Sequence, residues 1–243
     1  MPVGFMSKPD VKMTFTEHLG ELRTRIIRSV IAVGVCGAGG YAFHGQIFRL
    51  LKRPLPPDVP IQYLSLPEPF MTRLSIAFYV GVFLALPVIL YQAVMFVMPA
   101  LKPRERSVVL GGLLASSVLT VAGLTVAYLG VLPLVFPVLQ RFAPEGVEAH
   151  LRYESYVNVV FKFLIAFAVG FQFPIIMVSL VHLGLVPVRF FVKNAKYVLV
   201  IILIVSALFT PPDPISQIMM AVPLFCLYVL SLGVSYLFRK RES

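Results

Sequence analysis

Acids are scarce in this 243-residue chain, and those near its start stand among cations. Thr16-Glu17-His18-Leu19-Gly20-Glu21-Leu22-Arg23-Thr24-Arg25 places two carboxylates, an imidazole and two guanidinium groups within ten residues. Two chemistries are open to such a set. His18 and Glu21, three apart on one helical face, form half of a metal site, but no second pair of ligands completes it, so no metal or cofactor is expected. The other chemistry is capture of a cation. Glu17 and Glu21 are four apart and share a face, and carboxylates amid a basic flank are poor anchors for anionic lipid. They read as acceptors, against the plainer reading of a solvated interfacial face. A second acceptor stands in Phe96-Val97-Met98-Pro99-Ala100-Leu101-Lys102-Pro103-Arg104-Glu105-Arg106, where Glu105 is flanked by two arginines. Its plainer reading is an exposed local ion pair worth well under about 1 kcal/mol. Catalytic patterns are missing: the four histidines form no His-Glu-x-x-His, and neither Gly-x-Ser-x-Gly nor a Walker lysine loop occurs. The chain is not expected to be an enzyme.

The elements that position these groups follow from composition. The chain is 58% hydrophobic and only 13% charged, with a mean hydropathy of +0.89. Soluble domains draw about 25% of their residues from Asp, Glu, Lys and Arg, so the missing solvent is lipid. Cys36 and Cys226 lie in apolar runs and read as packing residues. A bilayer core of about 30 Å needs roughly 20 apolar residues as helix, and six segments qualify or come close: Ile26–Phe43, Phe70–Met98, Val108–Val131, Val157–Leu183, Ala195–Phe209 and Ile215–Phe238. The predicted fold is an all-α integral membrane protein. Residues 1–25 form a cytoplasmic amphipathic segment with Phe15, Leu19, Leu22 and Ile26 at helical spacing, residues 26–238 one six-span domain, and residues 239–243 a cytoplasmic tail. A basic start, an apolar run and Ala38-Gly39-Gly40 imitate a cleaved signal peptide, but a charged pre-segment of 25 residues is long for that role.

Six spans place both termini on one side. That side carries 14 cations and 5 acids, a net of +9, and the other 7 cations and 6 acids, a net of +1. By the positive-inside rule the termini are cytoplasmic. The overall charge of +10 is thus mostly a topology signal, and no nucleic-acid partner is expected.

Inside the spans no acid sits at mid-depth, where a proton-coupled carrier would need one. Arg28, Arg73 and Lys162 lie within about two turns of span ends and can snorkel. The deepest strongly polar side chain is Gln172, which either hydrogen-bonds within the chain or contacts a partner helix. Gly112, Ser116, Thr120 and Gly123 make a small-residue face suited to internal packing. Pro87, Pro174 and Pro223 each interrupt an apolar run and are expected to kink their helices into a fixed, curved, concave wall. A faint repeat links Glu68-Pro69-Phe70 with Glu154-Ser155-Tyr156, although independent kinks explain it better. On the outer side, Pro54 through Pro60 reads as a stiff extended connector. Asp213, in Thr210-Pro211-Pro212-Asp213-Pro214, reads as the cap of the sixth helix.

Together these residues resemble the TatC family, the polytopic receptor subunit of the twin-arginine protein translocase. The likeness rests on His18-Leu19-x-Glu21-Leu22-Arg23-x-Arg25; Pro87-Val88-Ile89-Leu90-Tyr91-Gln92 with Phe96, Pro99-Ala100-Leu101 and Glu105-Arg106; Phe171-x-Phe173-Pro174; and Thr210-Pro211-Pro212-Asp213-x-x-Ser216-Gln217. It implies six spans with short fifth and sixth helices, in the bacterial inner membrane. It also implies binding of twin-arginine signal peptides of folded proteins at Glu21, Arg23, Phe96 and Glu105. The implied partners are single-span subunits of the TatA and TatB type in a multimeric complex driven by the proton-motive force. Pro54, Phe70, Asp213 and Gln217 match positions the family needs for assembly or transport. Many members carry Glu where this chain has Gln172. The competing reading is a small-solute secondary transporter, which rim acids without a mid-depth acid disfavour.

Overall fold

The computed structural model describes residues 15–57, 59–98, 103–142, 144 and 150–237, excluding the side chains of residues 15, 103–105 and 107–109. Among the described residues four helical runs are long and apolar enough to cross a membrane: Glu68–Val97, Leu110–Gln140, Tyr153–His182 and Pro214–Leu237. Thr16–Ala42 and His44–Lys52, bent by 78° at their junction, qualify together, and Ala195–Phe209 is a shorter apolar helix. The two last spans differ: Ala195–Phe209 has 15 residues and Pro214–Leu237 has 24, so shortness belongs to the fifth alone.

Helix α1 runs unbroken over Phe15–Ala42. The amphipathic stretch before residue 26 is therefore the first turns of the spanning helix and no separate element, because no proline interrupts 15–42. After the bend comes α2 (His44–Lys52), then α3 (Glu68–Val97). Helices α1 and α3 lie against each other, Gly37 and Gly40 facing Ala77, Val80 and Gly81. A Cβ on Gly81 would stand 2.7 Å from the Val33 carbonyl oxygen and 2.9 Å from the Gly37 Cα, so only glycine permits this approach. Lipid is as apolar as a leucine side chain, so close contact of this kind, rather than escape from water, holds spanning helices together.

The third span continues past its expected end at Val131. Helix α4 (Pro103–Thr125) passes through a π-helical turn at Val126–Val131 into α5 (Leu132–Gln140). The wider turn makes room for Pro133, whose ring would otherwise meet the carbonyl four residues back. The fourth span is broken: α6 (Tyr153–Gly170) and α7 (Phe173–His182) meet at Phe171-Gln172, with Pro174 in the first turn of α7. Pro87 and Pro223, by contrast, sit inside continuous helices. Because α6 starts at Tyr153, Lys162 lies nine residues inside it, roughly two and a half turns, deeper than expected, with an exposed side chain. Gly184 (φ 71°) ends α7 in a Schellman motif: Leu185 N–H donates to Leu180 O and Gly184 N–H to Val181 O, each at 3.0 Å. The short α8 (Val188–Lys193), then α9 (Ala195–Phe209) and α10 (Pro214–Leu237), complete the described bundle.

Helix α6 is the pillar of the core, with Val157, Val160, Phe163 and Phe167 fully buried against Ala127, Leu132 and Val135. Large apolar side chains such as Val30, Val35, Leu114, Val118 and Leu230 face outward. That suits a chain solvated by lipid.

At the end of the bundle away from Glu21 the chain builds a small cap. Pro54–Pro60 is not the extended connector expected. Leu55 N–H bonds Lys52 O and Val59 N–H bonds Pro56 O, making turns that bury Leu51, Leu55 and Val59, with Asp58 outside the described residues. Beside them β1 (Ile61–Gln62) pairs in parallel with β2 (Leu151–Arg152), Ile61 opposite Leu151. Tyr156 Oη donates to Leu51 O at 2.5 Å and Tyr128 Oη to Leu50 O at 2.6 Å, tying the cap to the helices.

Candidate functional site

The close contact of α1 with α3 sets the geometry of the acid-bearing end. From the Gly37–Gly81 contact, the start of α1 lands beside the last turns of α3. Arg25 lies one helical turn after Glu21, so its guanidinium folds back: Nε donates to Glu21 Oε1 at 2.9 Å and Nη2 to the same oxygen. Nη1 reaches across to Gln92 Oε1 of α3 at 3.2 Å. All three side chains are largely buried, Gln92 at 8% exposure, and an arginine fork so held is rigid. Glu21 Oε2 is closed from solvent and has no hydrogen-bond partner among the described residues. His18 Nδ1 stands 3.9 Å from it, beyond hydrogen-bond length, and the His18 ring stacks on Phe96 at 4.2 Å between centroids and 14° between planes. One element pair thus brings together Glu21, Phe96, His18, Arg25 and Gln92.

Arg23 is not in that cluster. Two residues from Glu21 is about 200° around a helix, and its side chain is exposed on another face. Glu105 falls in the first turn of α4, its side chain outside the described part. Sequence reasoning treated Arg25 only as part of a motif and Gln92 only as part of a run. The i, i+4 spacing of Glu21 and Arg25 was the available signal for the first; nothing in one sequence marks the second.

Gln172 stands at the break between α6 and α7 and spends its amide inside the chain. Its Nε2 donates to Thr120 Oγ1 at 2.7 Å and Ser116 O at 3.3 Å, and its Oε1 accepts from Ser116 Oγ. The small-residue face of α4 is what it meets: a Cβ on Gly123 would lie 2.8 Å from Phe167 O. Beside Gln172, Leu90, Val94 and Val97 of α3, Leu113 of α4 and Ile176 of α7 line an apolar cavity of 420 Å³.

At the opposite end, Asp213 caps α10 as expected. Its Oδ1 accepts from Ser216 N–H at 2.7 Å and its Oδ2 from Ser216 Oγ at 2.5 Å, with Pro214 as the first helical residue. Gln217 Nε2 donates to Leu203 O at 3.0 Å, joining α10 to α9. Pro54 is half-buried in the cap, and Phe70, 56% exposed, projects from the first turn of α3. Glu68, which the sequence shows only within the Glu68-Pro69-Phe70 entry, is 2% exposed and accepts from Leu64 N–H at 3.0 Å, Glu154 N–H at 3.1 Å and Arg152 Nε at 3.1 Å. A buried carboxylate with two backbone donors and a guanidinium is satisfied as an anion, and this one pins β2 and the start of α6 to the start of α3. Among the described residues no group of three or more His, Cys, Asp or Glu could hold a metal ion.

Comparison with known proteins gives consistent matches. The family model described as Sec-independent protein translocase protein (TatC) matches residues 17–223. A Sec-independent protein translocase protein TatC of Desulforapulum autotrophicum is 37% identical over 98% of this chain and 89% of its own length. That of Escherichia coli K12 is 36% identical over 95% and 90%. A crystal structure described as the twin arginine translocase receptor TatC superposes with a TM-score of 0.81 at 33% identity, covering 91% of this chain and 99% of that one. A second crystal structure of that receptor, in DDM, gives a TM-score of 0.83.

Proposed function

Since this chain belongs to the TatC family of Sec-independent protein translocases, six-span membrane proteins and not catalytic enzymes, we propose that it binds the twin-arginine signal peptide of folded export substrates at the end of the bundle carrying Glu21. The observation that carries the reading is the Glu21 carboxylate, held by Arg25, which Gln92 braces in turn, with one oxygen unpaired among the described residues. An incoming guanidinium completes it. Two consecutive arginines need two carboxylates, and Glu105, in the first turn of α4 and nine residues after Phe96 in the chain, supplies the second. Arg23, exposed beside the cluster, faces the remainder of the peptide. This end is cytoplasmic, by the net +9 against +1 of the loops, and the membrane is the bacterial inner membrane.

The export complex is completed by single-span subunits of the TatA and TatB type in a multimeric assembly, with translocation driven by the proton-motive force. Support for a partner helix comes from the apolar cavity beside Gln172 and from the outward apolar faces of α9 and α10, where Ile201, Leu208 and Leu230 are exposed. Pro54, Phe70, Asp213 and Gln217 act through the cap and the α9–α10 turn that they shape. Co-purification of a single-span subunit checks this part of the reading.

The signal-peptide reading is tested by export of a folded reporter. Glu105→Ala is expected to abolish most export and Glu21→Ala to reduce it less, with both variants inserted at wild-type levels. Normal export by both would refute it.

A further inference from the structure

We propose that the His18 ring is a placeholder for a guanidinium, occupying on Phe96 the position that one signal-peptide arginine takes when it pairs with Glu21. The inference rests on the signal-peptide reading and adds to it the feature that separates arginine from lysine.

Three observations meet at this point. Arg25 directs two of its nitrogens at Glu21 Oε1 and a third at Gln92, so the acceptor capacity left to Glu21 lies in Oε2. That oxygen is shut off from solvent and unpaired among the described residues. A buried carboxylate oxygen left so is costly unless a ligand satisfies it. The ring beside it is flat against Phe96, 4.2 Å away and 14° from parallel, with Nδ1 3.9 Å from Oε2. A planar group with an N–H edge, seated on an aromatic face and turned toward a carboxylate, is how arginine is received. Imidazole has the plane and the edge but is too distant to bond.

His18 is also free to leave, because 40% of its side chain is exposed and its contact with Oε2 is longer than a hydrogen bond. A guanidinium sliding onto Phe96 in its stead extends further toward Oε2 and presents two parallel donors. A lysine ammonium has no plane to stack and carries a tighter hydration shell, so it gains little from Phe96. Phe96 is thereby assigned to specificity, Glu21 and Glu105 to affinity, and His18 to covering the ring until a guanidinium displaces it.

The test uses the full chain in lipid nanodiscs, titrated with two fluorescent synthetic signal peptides that differ only in Arg-Arg or Lys-Lys. His18→Ala is expected to tighten Arg-Arg binding by about threefold and leave Lys-Lys unchanged, since nothing has to be displaced. Phe96→Leu is expected to weaken Arg-Arg by about three- to tenfold with little effect on Lys-Lys, and Phe96→Tyr, which restores the ring, to recover the discrimination. The inference is overturned if His18→Ala leaves Arg-Arg affinity unchanged or lowers it, or if Phe96→Leu preserves the ratio of the two peptides, while Glu21→Ala and Glu105→Ala lose binding. Arg-Arg binding that survives both glutamate substitutions overturns the signal-peptide reading itself, and this inference with it.

Discussion

Glu68 shows what a single side chain does in this fold. Its carboxylate accepts from two backbone N–H groups and one guanidinium drawn from residues up to 86 positions away. Glu68→Gln keeps the shape but turns one acceptor into an NH2 donor, so whichever way the amide is flipped, donor faces donor. We predict that Glu68→Gln loosens the cap. Amide exchange at Ile61, Gln62, Leu151 and Arg152 should accelerate several-fold, while exchange in the α1–α3 contact stays as it was. Unchanged protection of the cap would mean that its turns, and not Glu68, hold it. Legibility at this scale follows sequence distance. The Asp213 cap could be read because its partner is three residues away. Glu21–Arg25 is equally local. Glu68 was visible only as part of a recurring Glu-x-aromatic entry, because Arg152 is 84 residues distant and the strands that bring it near are two residues long.

Among the elements, hydropathy located all six apolar runs, because a spanning helix must satisfy its backbone internally and can afford few charges. Their ends and breaks were less legible. Prolines at 87 and 223 are absorbed within helices, whereas those at 133 and 174 open new helical segments after a π-turn and a break. The difference lies in what receives the freed backbone groups, and that is tertiary. At the α6–α7 break Gln172 Nε2 donates to Ala168 O at 3.4 Å, and the same side chain bridges to Ser116 and Thr120 of α4. Gln172→Leu removes the bridge, with an expected loss of about 1 kcal/mol, the order that hydrogen bonds between helices contribute in hydrocarbon. The cavity beside it should then change shape, and less single-span partner should co-purify. If the partner is retained in full, Gln172 serves only the α4–α7 contact.

For the whole molecule, the distribution of charge matters more than its amount. Among the described residues the acids stand at the two ends of the bundle: Glu17, Glu21 and Glu105 at one, Glu68, Glu154 and Asp213 at the other. A carrier that couples a solute to protons needs a titratable group along its path at mid-depth. A receptor that reads a tag needs acceptors at the rim. The sequence pattern sufficed for that distinction and for the six-span fold. It did not disclose that Gln92 joins the Glu21 site, since that depends on the register that Gly37 and Gly81 impose between α1 and α3. The central claim is that rim carboxylates receive the paired arginines of a signal peptide. It is tested most directly by photocrosslinking from positions flanking Glu105 to signal peptides carrying Arg-Arg or Lys-Lys. The account predicts a crosslink to Arg-Arg that fades with Lys-Lys and is lost in Glu105→Ala; equal crosslinking of both peptides, undiminished in that variant, would contradict it.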